Sequence, residues 1–148
     1  MENDEVLKKV SLFSGLNPRN LKSLAKSCTT RKYKAGETIV KQGEPGVGLF
    51  IIVSGKVKVE KGDDAGNRME IAQHTQGEVI GEFAVIDGAP RTADVVAVEG
   101  TTCLVLAAWS FNSFMESHPE VALQILPVVV KRFRETNKKL MELTTPST

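Results

Sequence analysis

From Phe50 to Glu60 the chain reads FIIVSGKVKVE, and the two halves of that stretch obey different rules. Phe50, Ile51, Ile52 and Val53 form an unbroken apolar run, as expected of a buried strand. Beyond Gly55, Val57 and Val59 alternate with Lys56, Lys58 and Glu60, the period of two that marks a half-buried strand. Working outward, further strands are expected around Ile39–Val40, Met69–Ala72, Val79–Ile80, Ala93–Ala97 and Cys103–Ala107. Gly36, Gly43, Gly46, Gly48 and Gly55 punctuate these pieces, and the polar run from Lys61 to Asn67 reads as an exposed hairpin loop. Short strands at this spacing predict a sandwich or jelly roll rather than a parallel sheet.

Both flanks read as helix. Asn3 and Asp4 are expected to cap a first helix whose Val6, Leu7 and Val10 share a face, with Gly15 as its breaker. Asn17-Pro18 is a second start signal, and Leu21, Leu24 and Ala25 form that helix's apolar stripe. Near the other end, Ser110 is the expected cap of a helix that turns Phe111 and Phe114 inward. His118-Pro119 ends it and starts another, because the residue before proline avoids helical angles. Pro127 is expected to kink or break that last segment. Beyond it, Val129, Phe133, Thr136, Leu140 and Leu143 step along one side.

Composition sets the outer limits. A chain of 148 residues, 41% hydrophobic and 25% charged, is sized for one domain with its own core. A formal net charge of +1 gives no global field for nucleic acid or membrane, and no apolar run nears the roughly 20 residues that span a bilayer. MENDEVLKK has no apolar signal core. Cys28 and Cys103 stand far apart in sequence and read as buried, reduced thiols, so the expected location is the cytoplasm.

The chemistry concentrates between Gly81 and Ala93, GEFAVIDGAPRTA. Backbone N–H groups at the start of a helical turn attract anions, and Arg91 adds a planar fork that fits phosphate oxygens. Glu82 repels phosphate, so its expected role is to accept hydrogen bonds from sugar hydroxyls. The stretch reads as a pocket for a phosphorylated sugar. Its plainer reading is a glutamate at a helix start beside a surface arginine, a pairing worth little.

Enzyme signatures are absent. Gly46-Val47-Gly48 begins like a dinucleotide fingerprint, but Ile51 stands where the third glycine belongs. His74 and His118 are the only histidines, too few for a cupin-type metal site, and His118 before proline reads as a turn residue. No metal, cofactor or catalytic residue is expected.

KAGETIVKQGEPGVGLFIIVSGKVKV, Lys34 to Val59, followed by VIGEFAVIDGAPRTADVVA, Val79 to Ala97, resembles the cyclic nucleotide-binding domain. That family includes catabolite-activator-type regulators, regulatory subunits of cyclic-AMP-dependent kinase and nucleotide-gated channels. The resemblance implies a mostly β fold with flanking helices: a double-stranded β-helix, or jelly roll, with N-terminal helices and C-terminal hinge helices. The expected domain spans 1–144, with helices over 1–29, the roll over 30–108, helices over 109–144, and a flexible tail at 145–148. By resemblance, Gly81 to Ala84 form the short phosphate-binding helix, Glu82 takes the ribose 2′-hydroxyl, and Arg91 pairs with the cyclic phosphate. Phe83 and Ala84 contribute N–H groups, and Thr92 a hydroxyl or N–H. A hydroxyl at Thr92 leaves cyclic GMP open beside cyclic AMP.

The chain departs from the family pattern at Val47, where many members carry an acidic residue. It also ends soon after the long helix, whereas the family's transcription factors continue into a helix-turn-helix domain, so DNA binding by this chain alone is not expected. Lys131, Arg132, Arg134, Lys138 and Lys139 read as a solvated face beside the apolar stripe. The expected function is a non-catalytic sensor of cyclic AMP or cyclic GMP. It signals through a C-terminal helix, hinged near Pro127, to an unidentified effector, with a homodimer through that helix open. The alternative is a nucleotide-independent scaffold or interaction module on the same roll.

Overall fold

Strand β3, Gly48–Ser54, lies between two apolar layers, which is why its sequence shows no alternation. Leu49 and Ile51 join a core shared with the helices, while Phe50 and Ile52 turn the other way into a second core with Val57, Val95 and Val105. Successive side chains of a strand point to opposite faces, so a strand covered on both sides must be apolar throughout. The computed structural model describes residues 2–144, and the tail expected at 145–148 lies outside them.

Eight strands make two four-stranded antiparallel sheets that face each other as a jelly roll. One sheet runs β1 (Thr29–Tyr33), β8 (Thr101–Ala107), β3, β6 (Val79–Ile80). The other runs β2 (Thr38–Val40), β7 (Asp94–Ala97), β4 (Lys56–Gly62), β5 (Arg68–Thr75). The hairpin expected over Lys61–Asn67 is tighter than its polarity implied, since β4 continues to Gly62 and β5 resumes at Arg68. Within the intervening turn, Asp63 accepts the Ala65 and Asn67 N–H groups at 3.0 and 2.9 Å.

The N-terminal helices close the outer face of the first sheet. Helix α1 spans Asn3–Lys8, but Asn3 and Asp4 are inside it and do not cap it. Extended Glu2 takes the cap position without a side-chain bond, and Asp4 and Glu5 instead place negative charge at the positive end of the helix. The chain leaves this helix before Gly15, through a 3-10 turn over Ser11–Phe13. Helix α2, Pro18–Ala25, starts where expected, with the Asn20 N–H donating to Asn17 Oδ1 at 2.8 Å.

Helix α3 is the four-residue turn Ala84–Asp87. Helix α4, Ala108–Ser117, grows directly out of β8 and buries Phe111 and Phe114. Ser110 is therefore not its cap: it lies inside the helix, Ala107 takes the cap position without a side-chain bond, and the Ala108 N–H donates to the Val47 carbonyl at 2.7 Å. Helix α5, Glu120–Thr144, runs unbroken through Pro127. Proline removes one N–H, and the carbonyl it orphans belongs to Leu123, a residue on the exposed side of the helix at 72% exposure. Of the kink or break expected at Pro127, the break does not occur.

The inward face of α5 is carried by Val121 and Ile125, with Val129 packed beside them. The stripe expected to continue from Val129 does not stay covered, since Phe133 and Leu143 are 69% and 82% exposed. Among the described residues no helix is long and apolar enough to cross a membrane.

Candidate functional site

Between α3, the second sheet and α5 lies a cleft of about 520 Å³. Gly81, Glu82, Phe83, Ala84, Arg91 and Thr92, all singled out in the sequence, line it together. Its inner wall is apolar, through Val40, Val59, Ile80 and Val95. Two residues that sequence reasoning did not place at the site also line it, His74 and Arg132.

The helical turn sits further along than expected. Gly81 has φ +72°, a left-handed conformation that favours glycine and cannot begin an α-helix. The chain turns there first, the Ala84 N–H donates to the Gly81 carbonyl at 3.1 Å, and regular helix follows over Ala84–Asp87 rather than Gly81–Ala84. A Cβ at Gly81 would also run into the Arg91 guanidinium. Gly46 plays the matching part opposite, where a Cβ would stand 2.6 Å from Ala84 Cβ and from the Ala89 carbonyl oxygen. The two glycines let the α3 turn, the Gly48 strand end and Arg91 crowd together.

Arg91 is held at both ends. Its N–H donates to the Glu44 carbonyl at 2.8 Å and its carbonyl accepts from Gly43 at 2.9 Å, which pins the 88–91 segment against the β2–β3 loop. The side chain is half-buried, with Nη2 donating to the Gly48 carbonyl at 2.6 Å and the guanidinium 5.9 Å from the centre of the Phe50 ring. Burial lowers its pKa from the usual guanidinium value. Arginine nonetheless stays cationic at any physiological pH. Among the described residues no carboxylate pairs with it.

Glu82 is the reverse case, a carboxylate already engaged. Oε1 accepts the Leu12 N–H of the 3-10 turn at 2.6 Å, and Oε2 lies 2.7 Å from Arg132 Nη1 on α5. The Arg132 contact is between charges and is not an aligned hydrogen bond, because that Nη1 makes none. The Arg132 guanidinium also stacks 4.6 Å from the Phe83 ring centre. Arg132 therefore does not belong to the solvated basic face: it is part-buried, and it ties the last helix to the cleft. No local signal marks it within the run Lys131–Arg134, since its partner is fifty positions away.

Chemically, the cleft is lined by a half-buried cation with no carboxylate partner among the described residues, by an acceptor carboxylate, and by an apolar wall. Among the described residues no group of three or more His, Cys, Asp or Glu is placed to hold a metal ion.

The family model described as the cyclic nucleotide-binding domain matches residues 30–118. A CRP-like cAMP-activated global transcriptional regulator of Mycobacterium tuberculosis is 29% identical over 140 residues, covering 95% of this chain and 62% of that protein. The N-terminal domain of a Streptomyces coelicolor transcriptional regulator superposes with a TM-score of 0.84 at 30% identity, over 96% of this chain and 99% of that one. The regulatory domain of Toxoplasma gondii PKA, solved with cAMP, superposes with a TM-score of 0.71 at 26% identity, over 90% of this chain and 49% of that one. The chain spans about three-fifths of the length of the mycobacterial regulator and of a Thermus thermophilus cyclic AMP receptor protein.

Proposed function

The chain belongs to the cyclic nucleotide-binding domain family, a family of non-catalytic regulatory domains, and from that premise we propose that it senses a 3′,5′-cyclic purine nucleotide. Arg91 takes the cyclic phosphate, with N–H groups around Phe83 and Ala84 and with Thr92 completing the anion site. Glu82 takes the ribose 2′-hydroxyl. The purine lies along the wall of Val40, Val59 and Val95. One observation carries this reading: a half-buried arginine in a cleft whose side chain, among the described residues, has a neutral carbonyl as its only close polar partner. A cation held out of water without a counter-charge is costly, and an anionic ligand offsets that cost.

The signal leaves through α5. Arg132 and the Leu12 N–H share the carboxylate that the ribose approaches, so occupancy of the cleft and the seating of α5 are linked. Binding shifts that helix only by its preference for one seating over the other. The exposed part of α5 meets a second copy of the chain or an effector. The free thiols Cys28 and Cys103 fit a cytoplasmic setting.

Calorimetric titration with cyclic AMP and cyclic GMP tests the reading. Arg91→Ala is expected to cost roughly 2–5 kcal/mol, as loss of one partner in a desolvated charge pair does. At ~1.4 kcal/mol per decade that is a loss of tens- to thousands-fold in affinity. Equal affinity in the mutant would remove Arg91 from the phosphate site. Absence of binding by the wild type to either nucleotide would leave a scaffold or interaction module on this fold.

A further inference from the structure

His74 is the one side chain able to hydrogen-bond on an otherwise apolar stretch of the cleft wall. Its direction follows from the strand register. His74 stands opposite Val57 across β4 and β5, and directly opposed residues of an antiparallel pair share a face. Val57 is fully buried in the roll's inner core, so the imidazole points inward as well. Along β5 the half-buried Ala72 and His74 alternate with exposed Gln73 and Thr75, in agreement with that placement.

The ring's hydrogen-bonding state is also defined. Nδ1 lies 2.5 Å from Glu78 Oε2, and the other oxygen of that carboxylate accepts the Thr75 N–H at 3.1 Å. These bonds, the one to His74 first, hold the Glu78 carboxyl below its usual range, so it is ionised at neutral pH. An ionised carboxylate only accepts, so Nδ1 carries the ring proton. In the neutral imidazole Nε2 is then left as an acceptor.

We propose that His74 reads the base: Nε2 accepts a hydrogen bond from an N–H on the six-membered ring of the purine. That N–H is the exocyclic amine of cyclic AMP, or the ring N–H or amine of cyclic GMP. The inference rests on the cyclic nucleotide reading above and adds to it the residue that discriminates among bases. A base without such an N–H leaves a desolvated acceptor unpaired, which is where discrimination arises. Protonation of the ring turns Nε2 into a donor and sets N–H against N–H. The charged groups around the imidazole are Glu78 and, across the cleft, Glu82, Asp87, Arg91 and Arg132. Their field acts on every cyclic nucleotide through the same phosphate, so it cancels in a ratio of two affinities measured at one pH.

The experiment titrates wild type, His74→Leu and His74→Gln with cyclic AMP and with purine riboside 3′,5′-cyclic phosphate. The second ligand keeps the rings, ribose and phosphate but has no N–H on the base. Wild type is expected to favour cyclic AMP by roughly three- to tenfold at pH 7.5. His74→Leu erases that preference, and His74→Gln keeps it, because an amide oxygen also accepts. An unchanged ratio in His74→Leu overturns the proposal, even if both ligands bind more weakly, since that is a loss of shape alone. Should the leucine variant not fold, His74→Phe is titrated in its place, and an unchanged ratio there overturns the proposal. Failure of wild type to bind either ligand overturns the nucleotide reading itself, and this inference with it.

Discussion

Arg91 and Glu82 sit a few residues apart and differ in one respect: the cation has no counter-charge, and the carboxylate has a cation and an N–H. Both were legible in the sequence, because a glycine turn and an arginine nine residues on form a local pattern. His74 and Arg132 were not. The role of a strand residue depends on which face the register gives it, and that of Arg132 on where a distant helix docks. The cysteines carry the residue-scale prediction. Desolvation pushes the Cys28 thiol up to about 12 and Cys103 up to about 11, from an ordinary thiol value of 9.0. The thiolate is the reactive form, so burial reduces its population by about a thousandfold and a hundredfold, at one decade per pKa unit. Thiol titration with an aromatic disulfide at pH 8 is expected to be slow on the native protein and fast in guanidinium. Stoichiometric reaction of the folded protein within minutes would contradict it.

At the scale of elements, β7 is fastened to its neighbours by a charge cluster as well as by its ladder. Asp94 is buried; Oδ1 accepts the Gln42 N–H at 2.6 Å, and Oδ2 meets the Arg68 guanidinium, which also reaches Glu60. The Gln42 bond first, and then Arg68, hold the Asp94 carboxyl below its usual range. A carboxyl whose pKa is lower in the folded state adds stability above its unfolded value, about 3.9, and loses it as pH falls through the folded value. Thermal melts are therefore expected to drop steeply below about pH 4, and less steeply in Asp94→Asn. Identical slopes for the two proteins would show that Asp94 contributes nothing to acid unfolding. The α3 turn and the unbroken α5 were misread for related reasons. A positive φ at Gly81 moves a helix start by three residues, and an orphaned carbonyl at Leu123, on the exposed side of the helix, lets it carry proline.

On the scale of the whole molecule, α5 outruns the body it packs on. All twelve residues from Phe133 to Thr144 are exposed, and a free helix of about 12 residues is marginal in water. Leu123, Leu126, Val130, Phe133, Asn137 and Leu140 are all exposed and step by three and four, with a lone asparagine at one of the seam positions. This is the spacing of a two-stranded coiled-coil seam, in which a single buried asparagine sets register and strand number, and we propose that a second copy of the chain pairs there. It differs from the stripe drawn from the sequence, because docking of Val121, Ile125 and Val129 fixes the rotation of the helix. Sedimentation at tens of micromolar is expected to show a dimer that Leu126→Lys or Phe133→Glu dissociates. A wild-type monomer at all concentrations would sink the assignment of a second copy, and a dimer indifferent to both substitutions would move the contact elsewhere.

By itself the sequence determined short antiparallel strands between helical flanks and a glycine turn bearing Glu82 and Arg91, because these follow from periodicity, turn residues and spacing along a few positions of chain, while the jelly roll and the cassette roles were what the family resemblance implied. The tertiary structure alone decided that β3 is sandwiched between two cores, that His74 enters the cleft, and that Arg132 joins Glu82 to the last helix. Those facts depend on strand register and helix rotation, and both are set by contacts between residues far apart in the chain. The same glycine-to-arginine stretch that reads as a phosphate site in sequence lines, once folded, a cleft that a strand histidine and an arginine of the last helix also line.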